Sequence, residues 1–77
     1  SLSDLKKRLS VSEKKINEFE KKKSDLENEM LDNQFYDIKN TLRIKEVNTD
    51  LKKNLQLLKQ EEKVWEKIAE DIENFDK

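Results

Sequence analysis

The amino-acid sequence predicts an all-α fold: an antiparallel coiled-coil-like helical hairpin that forms part of a three- or four-helix bundle. Three observations carry this expectation. Apolar residues keep one heptad register in phase from Leu2 to Phe75, the chain contains no Gly and no Pro, and the register empties in a single window where turn-forming side chains gather. A sustained heptad means that long helices meet along a narrow stripe, and one interruption means that the chain has one place to reverse.

The a positions read Leu2, Leu9, Ile16, Lys23, Met30, Asp37, Ile44, Leu51, Leu58, Trp65 and Ile72. The d positions read Leu5, Ser12, Phe19, Leu26, Asn33, Asn40, Val47, Asn54, Glu61, Ile68 and Phe75. Apolar residues are 32% of the chain, so a random placement would leave most of these positions polar, whereas fifteen of them are apolar. With 45% charged residues and no Cys or His, the composition belongs to the long-helix class. A chain of 77 residues has room for one domain, buries little of its surface, and has no disulfide to compensate. A partner, or more of the same polypeptide, is expected. Its start at Ser1 rather than Met is read as a segment cut from a longer protein, with Ser1 and Leu2 candidates for added residues.

Helix one is expected over residues 3–30, where only Ser12 and Lys23 are polar on the seam and strong helix formers fill the remainder. Ser3 or Asp4 would serve as N-cap or first-turn acid. Between residues 31 and 43 the seam positions pass to Asn33, Asp37 and Asn40, while Leu31, Phe35, Tyr36, Ile38 and Leu42 leave the register. Asp and Asn favour caps and turns because their short side chains bond nearby backbone amides. The turn is therefore placed over residues 31–37, and helix two over 38–75 with Asp37 as its N-cap.

Two architectures satisfy this pattern: a hairpin folded near Phe35, and an uninterrupted helix of about 115 Å paired in parallel with a copy of itself. In the hairpin, a and d positions pair as Leu26 with Ile44, Phe19 with Leu51, Leu5 with Trp65 and Leu2 with Ile68. Flanking charges then pair Lys6 with Glu62, Lys22 with Asp50 and Glu29 with Arg43. A parallel dimer would pair Arg8 with Glu13, Lys15 with Glu20 and Lys22 with Glu27, but would oppose Asp71 to Asp76. Each pair is worth a few tenths of a kcal/mol, which gives the hairpin a slight edge without settling the choice, since the unbroken phase of the register favours the parallel dimer. Helix two also carries apolar residues beside its seam, Leu55 and Ala69 on one flank and Leu57 and Val64 on the other. A stripe that wide serves more than one neighbour, so helix two is expected at the centre of a bundle whose third helix comes from elsewhere. The isolated chain is accordingly expected to be a homo-oligomer, two hairpins forming the simplest closed bundle.

No catalytic, cofactor-binding or metal-binding residue is expected. His and Cys are absent, and with them the commonest general base, the thiolate nucleophile and the usual transition-metal ligands. Absence of Gly rules out the known phosphate-cradling loops. The net charge of -1 gives nucleic acid little long-range attraction, and no direct sequence-specific nucleic-acid binding is expected. The basic runs Lys21-Lys22-Lys23 and Lys6-Lys7-Arg8 are diluted by nearby acids and read as solvated face. Apolar runs never exceed two residues, as at Met30-Leu31 and Phe35-Tyr36, so no membrane partner is expected. Lys23, Asn54 and Glu61 lie on the seam, where a polar residue fixes register or orientation. Trp65 reads as seam packing, and Phe35 with Tyr36 as a plug at the closed end of the hairpin.

The stretch from Asp25 through Leu26, Met30, Asp32, Phe35 and Tyr36 to Asp37 resembles a segment near the start of bacterial class I peptide chain release factors of the second type. That segment typically reads Glu-Leu-x-x-x-Met/Leu-x-Asp-Pro-x-Phe-Trp-Asp/Asn. Here Tyr36 stands where the family has Trp, Asn33 stands at the usual proline, and the alignment after Asp37 needs a gap. The resemblance implies that the segment closes a helix of an N-terminal domain, that both aromatics pack into the bundle, and that a long helix follows. It implies a cytoplasmic, non-catalytic domain of a translation termination factor, docking near the stalk base of the large ribosomal subunit and modulating recruitment or recycling. The partners it implies are the ribosome, through the parent protein, and the parent's other domains. The Ser-Pro-Phe and Gly-Gly-Gln elements of that family lie in later domains, in keeping with a chain that has neither Pro nor Gly. The other function class the sequence supports is a structural coiled-coil segment of a larger scaffold, whose whole role is oligomerisation.

Overall fold

The computed structural model describes residues 1–76. It is a helical hairpin: helix α1 spans Leu2–Met30, a single 3-10 turn covers Ile38–Asn40, and helix α2 spans Thr41–Glu73. The rod measures 59 × 14 × 14 Å, about half the length of one uninterrupted helix of this chain, and the fold-back is what halves it.

Helix α1 starts at Leu2, one residue before the expected residue 3, and neither Ser3 nor Asp4 is its cap. The Ser1 hydroxyl takes that role, accepting from the Asp4 amide at 3.3 Å and donating to the Asp4 carboxylate at 2.9 Å. Asp4 remains the first-turn acid, where the helix dipole favours negative charge. The helix ends at Met30 as expected. Leu31 closes it in the right-handed region, its amide turned back to the carbonyls of Asn28 and Glu29.

The reversal is built from successive tight turns, each held by one Asp or Asn. Asp32 accepts the Gln34 amide on its carboxylate at 2.8 Å, while its carbonyl accepts the Phe35 amide at 3.0 Å. Asp37 accepts the Lys39 amide at 3.1 Å, and Asn40 donates its side-chain amide to the Gln34 carbonyl at 2.8 Å. No described residue has a positive φ, which is how the chain turns round without a glycine. These bonds correct one boundary. Asp37 caps the 3-10 turn, not α2, which starts three residues later at Thr41 and ends at Glu73. The Asp37 carboxylate reaches only the amide two residues on, and that tight geometry suits a 3-10 turn better than the first turn of an α-helix.

The buried stripe is the heptad seam. On the seam of α1 the residues withdrawn from solvent run Leu2, Leu5, Leu9, Ser12, Ile16, Phe19, Lys23, Leu26 and Met30, and on that of α2 Ile44, Val47, Leu51, Asn54, Leu58, Glu61, Trp65, Ile68 and Ile72, with Glu29, Asp50, Ala69 and Asp71 half-buried beside these seams. At the closed end Leu26, Phe35 and Val47 form the core, with Met30, Ile44 and Leu51 against them. Ile44 lies against this cluster, but Leu26 shares the buried core with Val47, d with d, so the expected pairing of Leu26 with Ile44, Phe19 with Leu51, Leu5 with Trp65 and Leu2 with Ile68 is offset. The polar contacts lie one half-heptad beyond that pairing: Ser12 meets Glu61 and Phe19 meets Asn54, d opposite d. The centre of reversal falls between Tyr36 and Asp37 rather than on Phe35, because the 3-10 turn adds length on the α2 side.

Candidate functional site

Every residue marked out by the sequence has a place in the hairpin. Asn54 is 4% exposed and donates its side-chain amide to the Phe19 carbonyl of α1 at 2.8 Å. Glu61 accepts the Ser12 hydroxyl at 2.7 Å, with Ser12 fully withdrawn from solvent. Among the described residues no buried polar side-chain atom lacks a partner. Both pairs hold only in one register, since sliding the helices by a turn would strand these groups in an apolar seam. Lys23 is half-buried on the same seam. Trp65 is also half-buried, its indole N–H donating to Glu13 at 3.2 Å. That acceptor was not foreseen, because Glu13 is one residue off the seam of α1.

The two aromatics of the turn separate. Phe35 is 5% exposed and fills the closed end, whereas Tyr36 is 62% exposed and touches Phe35 edge-on with ring centroids 4.8 Å apart. Tyr36 is therefore no part of the plug, contrary to the sequence reading. Adjacent residues in a tight turn point in different directions, so only one of the two reaches the core.

Electrostatics of the closed end centre on Arg43. Its guanidinium grips Glu29 of α1 bidentately, at 2.6 and 2.7 Å, and reaches Glu46 at 3.3 Å. The bond from Arg43 holds the Glu29 carboxyl below the usual carboxylate range, and Glu29 with Glu46 pushes Arg43 further up. This is the expected Glu29 pair. Lys6 with Glu62 and Lys22 with Asp50 form no ion pair among the described residues. Lys21 pairs instead with Asp25 along its own helix, and Lys67 with Asp71, whose carboxylate raises the Lys67 ammonium.

Two long sides remain open to solvent, and they differ in charge. One is a groove lined near the open end of the hairpin by Val11 and Val64, over Ile68 and the Ser12–Glu61 pair, with Lys7, Arg8 and Lys15 on its rim. Towards the turn the same side passes Leu57, Phe19 and a mixed rim of Glu18, Lys22, Asp50 and Lys53. The opposite side presents Ile16 and Trp65 between Glu13, Glu62 and Glu66. Leu55, Leu57, Val64 and Val11 are all exposed. Among the described residues no cluster of acidic side chains is arranged to hold a metal ion, and no helix is long and apolar enough to cross a membrane. No family model, curated protein or solved structure matches the chain.

Proposed function

We propose that the chain is a non-catalytic docking module, a hairpin that completes a larger helical bundle with a partner element. The observation that carries this reading is the apolar surface beside the α2 seam, where Leu55, Leu57 and Val64 stay exposed with Val11 of α1 after the hairpin has formed. Hairpin packing has used the a and d positions, so these side chains are surplus to it, and surplus apolar surface on a rigid rod marks an interaction site. Polar pairs buried at Ser12–Glu61 and Asn54–Phe19 add to this reading, because they fix one register and so keep both flanks presented in one arrangement.

The narrower assignment, to the N-terminal domain of a class I release factor of the second type in the cytoplasm, is supported by the resemblance from Asp25 to Asp37. Along that segment Met30 closes α1, Asp32 starts the turn, Phe35 enters the core and Asp37 precedes the next helix. Exposed Tyr36 departs from what that resemblance implies. The partner would then be the ribosome near the stalk base, with codon reading and hydrolysis left to other domains. The scaffold reading draws on the same exposed flanks, with a second copy of the chain as the neighbour.

Deleting residues 2–75 from the parent protein tests this. A docking module should weaken ribosome recruitment or GTPase-dependent recycling while leaving the single-turnover hydrolysis rate at saturating factor nearly unchanged, because it contributes binding rather than transition-state stabilisation. A parent without Gly-Gly-Gln or any codon-reading domain would refute the release-factor assignment and leave the scaffold reading.

A further inference from the structure

We infer that the groove at the open end of the hairpin receives an acidic amphipathic helix of a partner protein, with Val11 and Val64 as the apolar floor and Lys7, Arg8 and Lys15 as the contacts to its carboxylates. This deepens the docking reading and rests on it, since it assigns the docking to one side of the rod and a chemistry to the partner.

Geometry supplies the first part of the argument. Val11 on α1 and Val64 on α2 face the same groove and are 57% and 47% exposed, and Leu57 follows Val64 at heptad spacing along α2. A floor that repeats at seven residues between two helices is shaped for a third helix lying along them. β-branched side chains that lose water on contact contribute only if the partner is apolar there, which a phosphate backbone or a free anion is not.

Charge supplies the second part. Lys7, Arg8 and Lys15 rim the groove, and none of the three forms an ion pair among the described residues. Glu61 is the one carboxylate among the described residues of the lining, and against Lys7, Arg8 and Lys15 it leaves the groove net positive. The groove is thus cationic in a chain whose net charge is -1. A second copy meeting this groove with its own groove would bring these cations against each other. Like charges facing across an interface select against a pairing, which disfavours a symmetric dimer through this side.

The test uses the whole chain and a fluorescently labelled three-heptad helical peptide with Leu at a and d and Glu at e and g, compared by anisotropy with the same peptide carrying Lys at e and g. The Glu peptide is expected to bind at least about tenfold more tightly, with the advantage shrinking as salt rises. The Lys7→Glu/Arg8→Glu/Lys15→Glu variant is expected to invert the preference, and Val64→Asp to abolish binding of both peptides; a circular dichroism melt confirms that each variant remains folded. Equal binding of the two peptides, or an unchanged preference in the charge variant, would overturn the inference. So would tighter binding of a duplex oligonucleotide than of the Glu peptide, or self-association in sedimentation that the charge variant removes. If the parent's assembly responds to Leu55→Asp on the opposite flank and not to Val64→Asp, this assignment fails while the docking reading stands. Indifference to both variants would refute the docking reading itself.

Discussion

Truncating Phe35 to alanine probes the closed end of the hairpin most directly. The ring is 5% exposed and rests between Leu26 of α1 and Val47 of α2, so it joins the two helices where the chain reverses. A buried Phe removes about 150 to 250 Å² from water, which at about 25 cal/mol per Å² is worth roughly 4 to 6 kcal/mol. Measured Phe→Ala costs are about 3 to 5 kcal/mol. The lower end applies here, because the site lies at the end of a thin rod and water can enter the space left behind. Domains of this size have on the order of 4 to 12 kcal/mol in total. At about 4 to 8 °C per kcal/mol, a loss near 3 kcal/mol lowers the melting temperature by roughly 12 to 24 °C. The assay is thermal unfolding followed by circular dichroism at 222 nm, with Tyr36→Ala as the control. Tyr36 loses only its edge contact to Phe35 and some partly wet surface, about 0.5 to 1.5 kcal/mol. A Phe35→Ala melt within a few degrees of the parent, or two variants of equal cost, would refute the claim that Phe35 alone plugs the turn.

Glu29 makes the stability of the hairpin dependent on acid. Its carboxyl titrates lower in the folded protein than in the unfolded chain because Arg43 hydrogen-bonds it, so the contribution is complete above the unfolded value of about 4.3 and vanishes as pH falls through the lower folded value. Urea midpoints of the parent and Glu29→Gln should therefore differ at neutral pH and converge in acid; a gap that persists at the lowest pH would contradict this origin. On the seam, Asn54→Leu should raise the melting temperature and loosen the register, since a buried amide costs stability in exchange for specificity. Pairs of spin labels across α1 and α2 should then report a broadened distance distribution, and a distribution as narrow as the parent's would show that Asn54 does not set the register.

Much of this fold was legible in the residues. The two helices, the window of reversal and the buried stripe all follow from period and composition, because a heptad seam with one gap has few ways to bury itself. Arg43 with Glu29 was legible too, since antiparallel pairing brings that charge pair together nearest the turn, where slippage is smallest. Away from the turn, the expected pairs Lys6–Glu62 and Lys22–Asp50 do not form and Ser1 takes the cap expected of Ser3 or Asp4; the other failures lie in the turn. Asp32, Asn33, Asp37 and Asn40 all have turn chemistry, and sequence cannot choose which carboxylate caps which amide when several compete within ten residues. Tyr36 was misplaced because both rings were read as one plug, whereas the Tyr36 hydroxyl favours water and the backbone path turns only Phe35 inward.

The sequence by itself determined that helices over about residues 3–30 and 38–75 bury one heptad seam, and that apolar side chains remain beside the seam of the second. The tertiary structure decided which flanks face each other. In a parallel pair each g position lies beside an e position of the neighbour, whereas the antiparallel hairpin sets g beside g and e beside e. That choice brings Arg8 and Lys15 alongside Val64 on one side and Glu13 alongside Glu62 and Trp65 on the other. A single stripe on each helix thereby becomes a cationic groove and an acidic one, a division that exists only once the direction of pairing is fixed.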